Sequence, residues 1–92
     1  MSKTQKHDLV SKHQNLTQTD GAKVVSHVQR EEGDWYHNTL MIEGCEVPFK
    51  YKRKKGYKSL QGARVNLTYY TDNEEVAGME FEVMRVVRIR RS

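Results

Sequence analysis

Hydrophobic residues in this chain recur at every second position over several short segments, with glycine, asparagine and charged clusters between them. A period of two is the mark of strands that bury one face. Residues 23–30 are rich in β-branched side chains, residues 31–34 (Glu-Glu-Gly-Asp) read as a turn, and residues 35–42 form a second strand. Folded across that turn, the pair sets Val24 opposite Leu40 and Val28 opposite Tyr36, all four facing a core. After a turn at 43–46, Val47, Phe49 and Tyr51 alternate with Pro48, Lys50 and Lys52. Pro48 cannot donate a ladder bond, so this third strand starts there or lies at an edge.

Val65, Leu67 and Tyr69 line a fourth strand, which the polar residues 71–75 close as a turn. The last segment is the most regular. Met79, Phe81, Val83, Val87 and Ile89 share one face, and Glu80, Glu82, Arg88 and Arg90 share the other. Arg85 interrupts the apolar set, and Met84 and Val86 fall on the polar side around it. Eleven extended residues reach about 36 Å at roughly 3.3 Å each, longer than a domain of about 70 residues is wide. The strand must therefore bend, and the phase change at Arg85 marks the expected place.

Residues 1–20 are polar, with Leu9, Val10 and Leu16 as their only sizeable aliphatics. They read as a flexible tail, and residues 21–92 as a single domain near the lower size limit for one core. The single cysteine, Cys45, excludes an internal disulfide, and residues 1–10 hold no apolar leader core. No run is long enough to span a membrane, so a reducing, cytoplasmic setting is expected.

Five strands, no long helix and one long bent terminal strand predict an all-β barrel. The arrangement over residues 22–90 resembles the oligonucleotide-binding barrel, or OB-fold. Leu60-x-Gly62-x-Arg64-Val65-x-Leu67 is similar to the common lead into its fourth strand, although residues 53–61 are too short and glycine-broken for the usual helix. An SH3-like barrel is the competing fold. The resemblance implies nucleic-acid contact on strands two and three, between loops that here, at 31–34 and 71–75, are acidic.

The net charge of +4 is modest, yet eleven of the sixteen cations fall in two segments. Residues 49–58 read Phe-Lys-Tyr-Lys-Arg-Lys-Lys-Gly-Tyr-Lys with no acid among them. Cations neutralise phosphates and interleaved rings stack on bases. The expected function is a non-catalytic module for single-stranded DNA or RNA, bound mainly through this basic loop. Lys50, Lys52, Arg53, Lys54, Lys55, Lys58 and Arg64 would meet phosphates, Arg88, Arg90 and Arg91 would extend the footprint, and Tyr57 and Tyr70 would stack. Tyr51 shares the parity of Phe49 and is assigned to the core, and Trp35 to capping the barrel end.

The expected hairpin also sets His27 opposite His37, a pair that could share a metal, but no third ligand has a defined spacing. No metal or other cofactor is expected. No nucleophile with its base, no carboxylate pair and no phosphate-binding glycine loop stands at a usable spacing. The rival expectation is a protein-interaction module or accessory subunit, a homodimer or a binder of an acidic protein, that uses the edge of the terminal strand.

Overall fold

The computed structural model describes residues 16–92, in which β1 (Thr17–Glu32), β2 (Trp35–Ile42), β3 (Phe49–Arg53), β4 (Arg64–Val76) and β5 (Met79–Arg91) form one sheet. The strands run β1-β2-β3-β5-β4, and β4 returns to β1 to close a barrel. Among the described residues there is no helix long and apolar enough to cross a membrane. Most of the expected 1–20 tail lies outside the described residues. Its last four residues, however, are strand: β1 pairs with β4 from Thr17 opposite Tyr69 to Lys23 opposite Arg64.

All neighbours are antiparallel except β3 and β5, which meet in parallel at only two residue pairs, Phe49 with Met84 and Lys50 with Arg85. Past Lys50 the two strands part, and a crevice of about 80 Å³ opens between residues 51–53 and 86–89. Ala22, Val24, Leu40, Ile42, Phe49, Val65 and Leu67 fill the barrel. Phe49 meets Tyr69 edge to face, with ring centroids 4.8 Å apart. Each fully buried Val or Leu contributes about 1.5–3 kcal/mol, and these are what hold so small a barrel together.

Among the described residues the register shifts at three places, one of them between Thr19 and Ala22 of β1, and the other two move expected core side chains. In β1 the register shifts between Val24, opposite Ile42, and Ser26, opposite Met41, so Val25 has no partner. An extra residue in one strand reverses the inward parity beyond it. Val24 is fully buried, but Val28 lies opposite Thr39 and is 58 % exposed, which overturns its expected place in the core. His27, opposite Leu40, and Gln29, opposite Asn38, take the inward positions. The expected pairing used a four-residue turn, whereas Glu32 pairs with Trp35 around a two-residue turn at Gly33 and Asp34.

In β5 the shift falls between Arg88, opposite Thr68, and Val86, opposite Tyr69. Val87 is the extra residue, so the irregularity lies two positions beyond Arg85. The parity change turns Met84 and Val86 toward the core, where they pack with Ile89, and leaves Val87 exposed. Both had been assigned to the polar face.

Residues 71–75 are not a turn. β4 continues to Val76, and the reversal comes at Ala77 and Gly78, with φ of 52° and 82°. Two successive positive φ values are those of a type I′ hairpin turn, which usually begins with Asn, Asp or Gly. Alanine in that place hid the turn. Among the described residues, 72–76 and 79–83 pair only with each other, so β4 and β5 continue beyond the barrel as a two-stranded arm. The molecule measures 45 by 31 by 27 Å.

Candidate functional site

The β3–β4 connection is irregular, and polar side chains from β1 pin it to the barrel. The Leu60 backbone N–H donates to His27 Nδ1 at 2.8 Å. The ring proton therefore sits on Nε2, which donates to Asn38 Oδ1 at 2.8 Å. Asn38, only 4 % exposed, returns its amide N–H to the Tyr36 carbonyl at 3.1 Å. A buried amide so placed is satisfied through its partners.

Two residues further along β1, Gln29 grips Tyr57 at two points. Its amide N–H donates to the Tyr57 carbonyl, and its oxygen accepts the Tyr57 N–H at 3.2 Å. Gly56 lies flat against Tyr36, where an added Cβ would stand 3.0 Å from the ring. Backbone bonds finish the attachment: Gly62 N–H to Val24 O at 2.8 Å and Val24 N–H to Ala63 O at 2.9 Å. The sequence reading missed His27, Gln29 and Asn38. Each is a polar residue at an inward position: Asn38 shares the parity of Tyr36 and Leu40, whereas His27 and Gln29 turn inward only past the Val25 bulge.

Held this way, the connection faces the end of β5 across a cleft of about 250 Å³. His27, Asn38, Tyr51, Leu60 and Ile89 line it together with Tyr57, and Arg53, Lys58, Arg90 and Arg91 supply its charge. Among the described residues no Asp or Glu side chain lines it. The Arg53 guanidinium lies 5.5 Å from the Tyr51 ring centroid and 5.2 Å from that of Tyr57. Tyr51 packs against the core, and burial pushes its hydroxyl pKa up while Arg53 opposes the rise. Tyr57 is 55 % exposed, the more open of the two rings.

Five expected contact residues thus meet at one place: Arg53, Tyr57, Lys58, Arg90 and Arg91. Lys52 and Lys54 stand to one side. Their ammonium groups lie 5.1 and 4.6 Å from the Trp35 ring centroid, so Trp35 is an outer platform and not the expected cap. Lys55 is exposed in the same connection.

The remaining four lie elsewhere. Lys50 donates to Glu74 at 2.7 Å, and Arg85 reaches Asp72 at 3.2 Å and Glu74 at 3.3 Å. The Asn73 N–H and the Arg85 side chain hold the Asp72 carboxyl below its usual range, and Lys50 does the same for Glu74. This network borders a wider groove of about 840 Å³ that also takes in Tyr70. Lys50 is thus already neutralised, on the opposite sheet face from the cleft. Arg64 donates to the Gly21 carbonyl at 2.9 Å and braces the start of β1. Arg88 borders a second hollow with Gln18, Asp20 and Thr68, which Arg90 also lines.

His27 and His37 do not share a site. His37 lies opposite Arg30 and 3.2 Å from Glu32, on the outer face, while His27 points inward. Among the described residues no three His, Cys, Asp or Glu side chains stand close enough to hold a metal ion. No protein-family model, curated protein or solved structure matches the chain.

Proposed function

We propose that this protein is a non-catalytic OB-like barrel that binds single-stranded DNA or RNA in the cleft between the β3–β4 connection and the end of β5. The observation that carries the reading is the convergence of Arg53, Lys58, Arg90 and Arg91 around tyrosine rings, with no Asp or Glu side chain of the described residues in the lining. Cations there meet phosphates, and the exposed Tyr57 ring offers a stacking face. The strand order and the parallel β3–β5 contact support the OB-like assignment, because an SH3-like barrel is built from antiparallel neighbours. The groove on β2 and β3, used by many OB-folds, carries Glu32 and Glu74 beside its cations. That mixed charge favours the cleft as the binding place.

Affinity should fall steeply with salt and depend weakly on sequence, since phosphate contacts carry no base information. Fluorescence anisotropy of a labelled single-stranded oligonucleotide, titrated from low to physiological salt, tests this. Binding that ignores salt, or that survives replacement of Arg53, Arg90 and Arg91 by alanine, would refute it.

A further inference from the structure

The β4–β5 arm has two unlike faces. Cross-strand pairing puts Val76 opposite Met79 and Glu74 opposite Phe81 on one of them, and Glu75 opposite Glu80 and Asn73 opposite Glu82 on the other. Val76, Met79 and Phe81 are 51, 61 and 48 % exposed. Their face continues into a hollow of about 440 Å³ beside Val47 and Pro48. Neighbouring large apolar groups left in water on a projecting hairpin mark a contact surface.

The cleft at the other end of β5 is the complement of this arm. It is apolar inside, with Tyr51, Leu60 and Ile89, and cationic around them, with Arg53, Arg90 and Arg91. We infer that the apolar tip of one molecule docks in the cleft of a second copy. Phe81 or Met79 would enter among the rings, and Glu75 and Glu80, on the opposite face of the narrow two-stranded tip, would meet the arginines at the rim. Unlike surfaces on one chain make a heterologous contact, which propagates head to tail unless a ring closes. The arm cannot reach its own cleft, because the tip and the cleft are at opposite ends of one strand.

The contact requires no nucleic acid, so the test is made without it. Sedimentation velocity of the full chain over a range of concentrations should give an average mass that rises past the dimer and falls as salt is added. A tip variant (Met79→Ser with Phe81→Ser) and a cleft variant (Arg90→Glu with Arg91→Glu) should each stay monomeric. Mixed, they should form a 1:1 heterodimer that grows no further, because its free tip and free cleft are both disabled. Circular dichroism checks that each variant is folded; Tyr57→Ala with Lys58→Glu, both at exposed positions, is the second cleft variant. A wild type that stays monomeric, a cleft variant that dimerises alone through its tips, or a mixture that does not associate would each overturn the inference. The monomeric tip variant retains the whole cleft, so its affinity for an oligonucleotide tests the proposed function separately.

Discussion

The two ends of β5 solve the problem of an irregular or projecting segment in different ways. At the C-terminal end, the β3–β4 connection has no regular structure but is bonded to the barrel through His27, Gln29 and the β1 backbone. At the N-terminal end, the β4–β5 arm is regular but pairs only with itself, and charge anchors its root: Lys50 and Arg85 against Asp72 and Glu74. The hydrogen bonds of the imidazole are directional and fix geometry at short range, whereas the ion pairs, with side chains 28–44 % exposed, are partly screened by solvent. Order in a segment therefore follows from what it is bonded to more than from its secondary structure. The cleft is held by directional bonds to the barrel, and the arm by its own ladder and a charged root.

The largest effect should come from the charge of the cleft. Replacing Arg53, Arg90 and Arg91 with alanine removes up to three phosphate contacts and should reduce the slope of log K against log salt by about 2, at roughly 0.7 per contact for a single strand. Charge-removing changes on the arm, Glu80→Gln with Glu82→Gln, should leave that slope unaltered. A gain from the arm set that mirrors the loss from the cleft set would show that net charge, and not the cleft, governs binding.

Next comes the clamp. His27→Ala leaves the Leu60 N–H without its acceptor and Asn38 without its donor, and should cost about 1–3 kcal/mol in urea denaturation. Amide exchange should quicken at Leu60 and Tyr57 and stay as it was in residues 79–83. If exchange in the connection does not change, His27 is not what holds it.

A smaller loss, about 1 kcal/mol or less, is expected for Glu74→Gln, which releases Lys50 and weakens the hold on Arg85. The same loosening should appear with pH. Asp72 and Glu74 both titrate below their usual range in the folded protein, so their contribution is fully present above the unfolded carboxylate values near 4. It is lost as pH falls through the lower folded values. Amide shifts of residues 72–76 and 79–83 should follow that acid titration ahead of those in the barrel. Titration of the arm in step with global unfolding would mean that its charged root is not a separate source of order.

The smallest change concerns the tip. Ala77 holds a positive φ that costs an alanine about 1 kcal/mol, so Ala77→Asn or Ala77→Gly should stabilise the hairpin by some tenths of a kcal/mol. A rise in melting temperature with unaltered cleft binding would confirm that tip and cleft are independent. A fall would mean that alanine at the turn is held by a contact worth more than its strain.

Alternation alone was enough to read β2 at its observed limits and to start β5 at Met79, because one face of each strand is apolar over most of its length. It also assigned Phe49 and Leu67 to the core, and Tyr57 to solvent. The misplaced faces share one cause. Val28, Met84 and Val86 were placed on the wrong faces because one extra residue, Val25 or Val87, shifts the phase without altering composition. The strand through 71–75 was read as a turn because its residues are polar, and polarity in an arm exposed on both sides says nothing of its pairing. Of the site, the arginines and Tyr57 were legible as a charge pattern. The separation of Lys50, Arg64 and Arg88 from them was not, since it depends on which strand each neighbours.

The sequence by itself determined an all-β chain, a third strand that begins beside Pro48, and a basic connection facing water, because alternation, proline geometry and local charge are properties of neighbouring residues. The tertiary structure decided that β3 lies parallel to β5, that β1 bulges at Val25, and that His27 and Gln29 thereby turn inward to hold the connection beside Arg90 and Arg91. These outcomes depend on which strands close the ring and in what register. Register is set by packing across the whole barrel, and no local segment carries it.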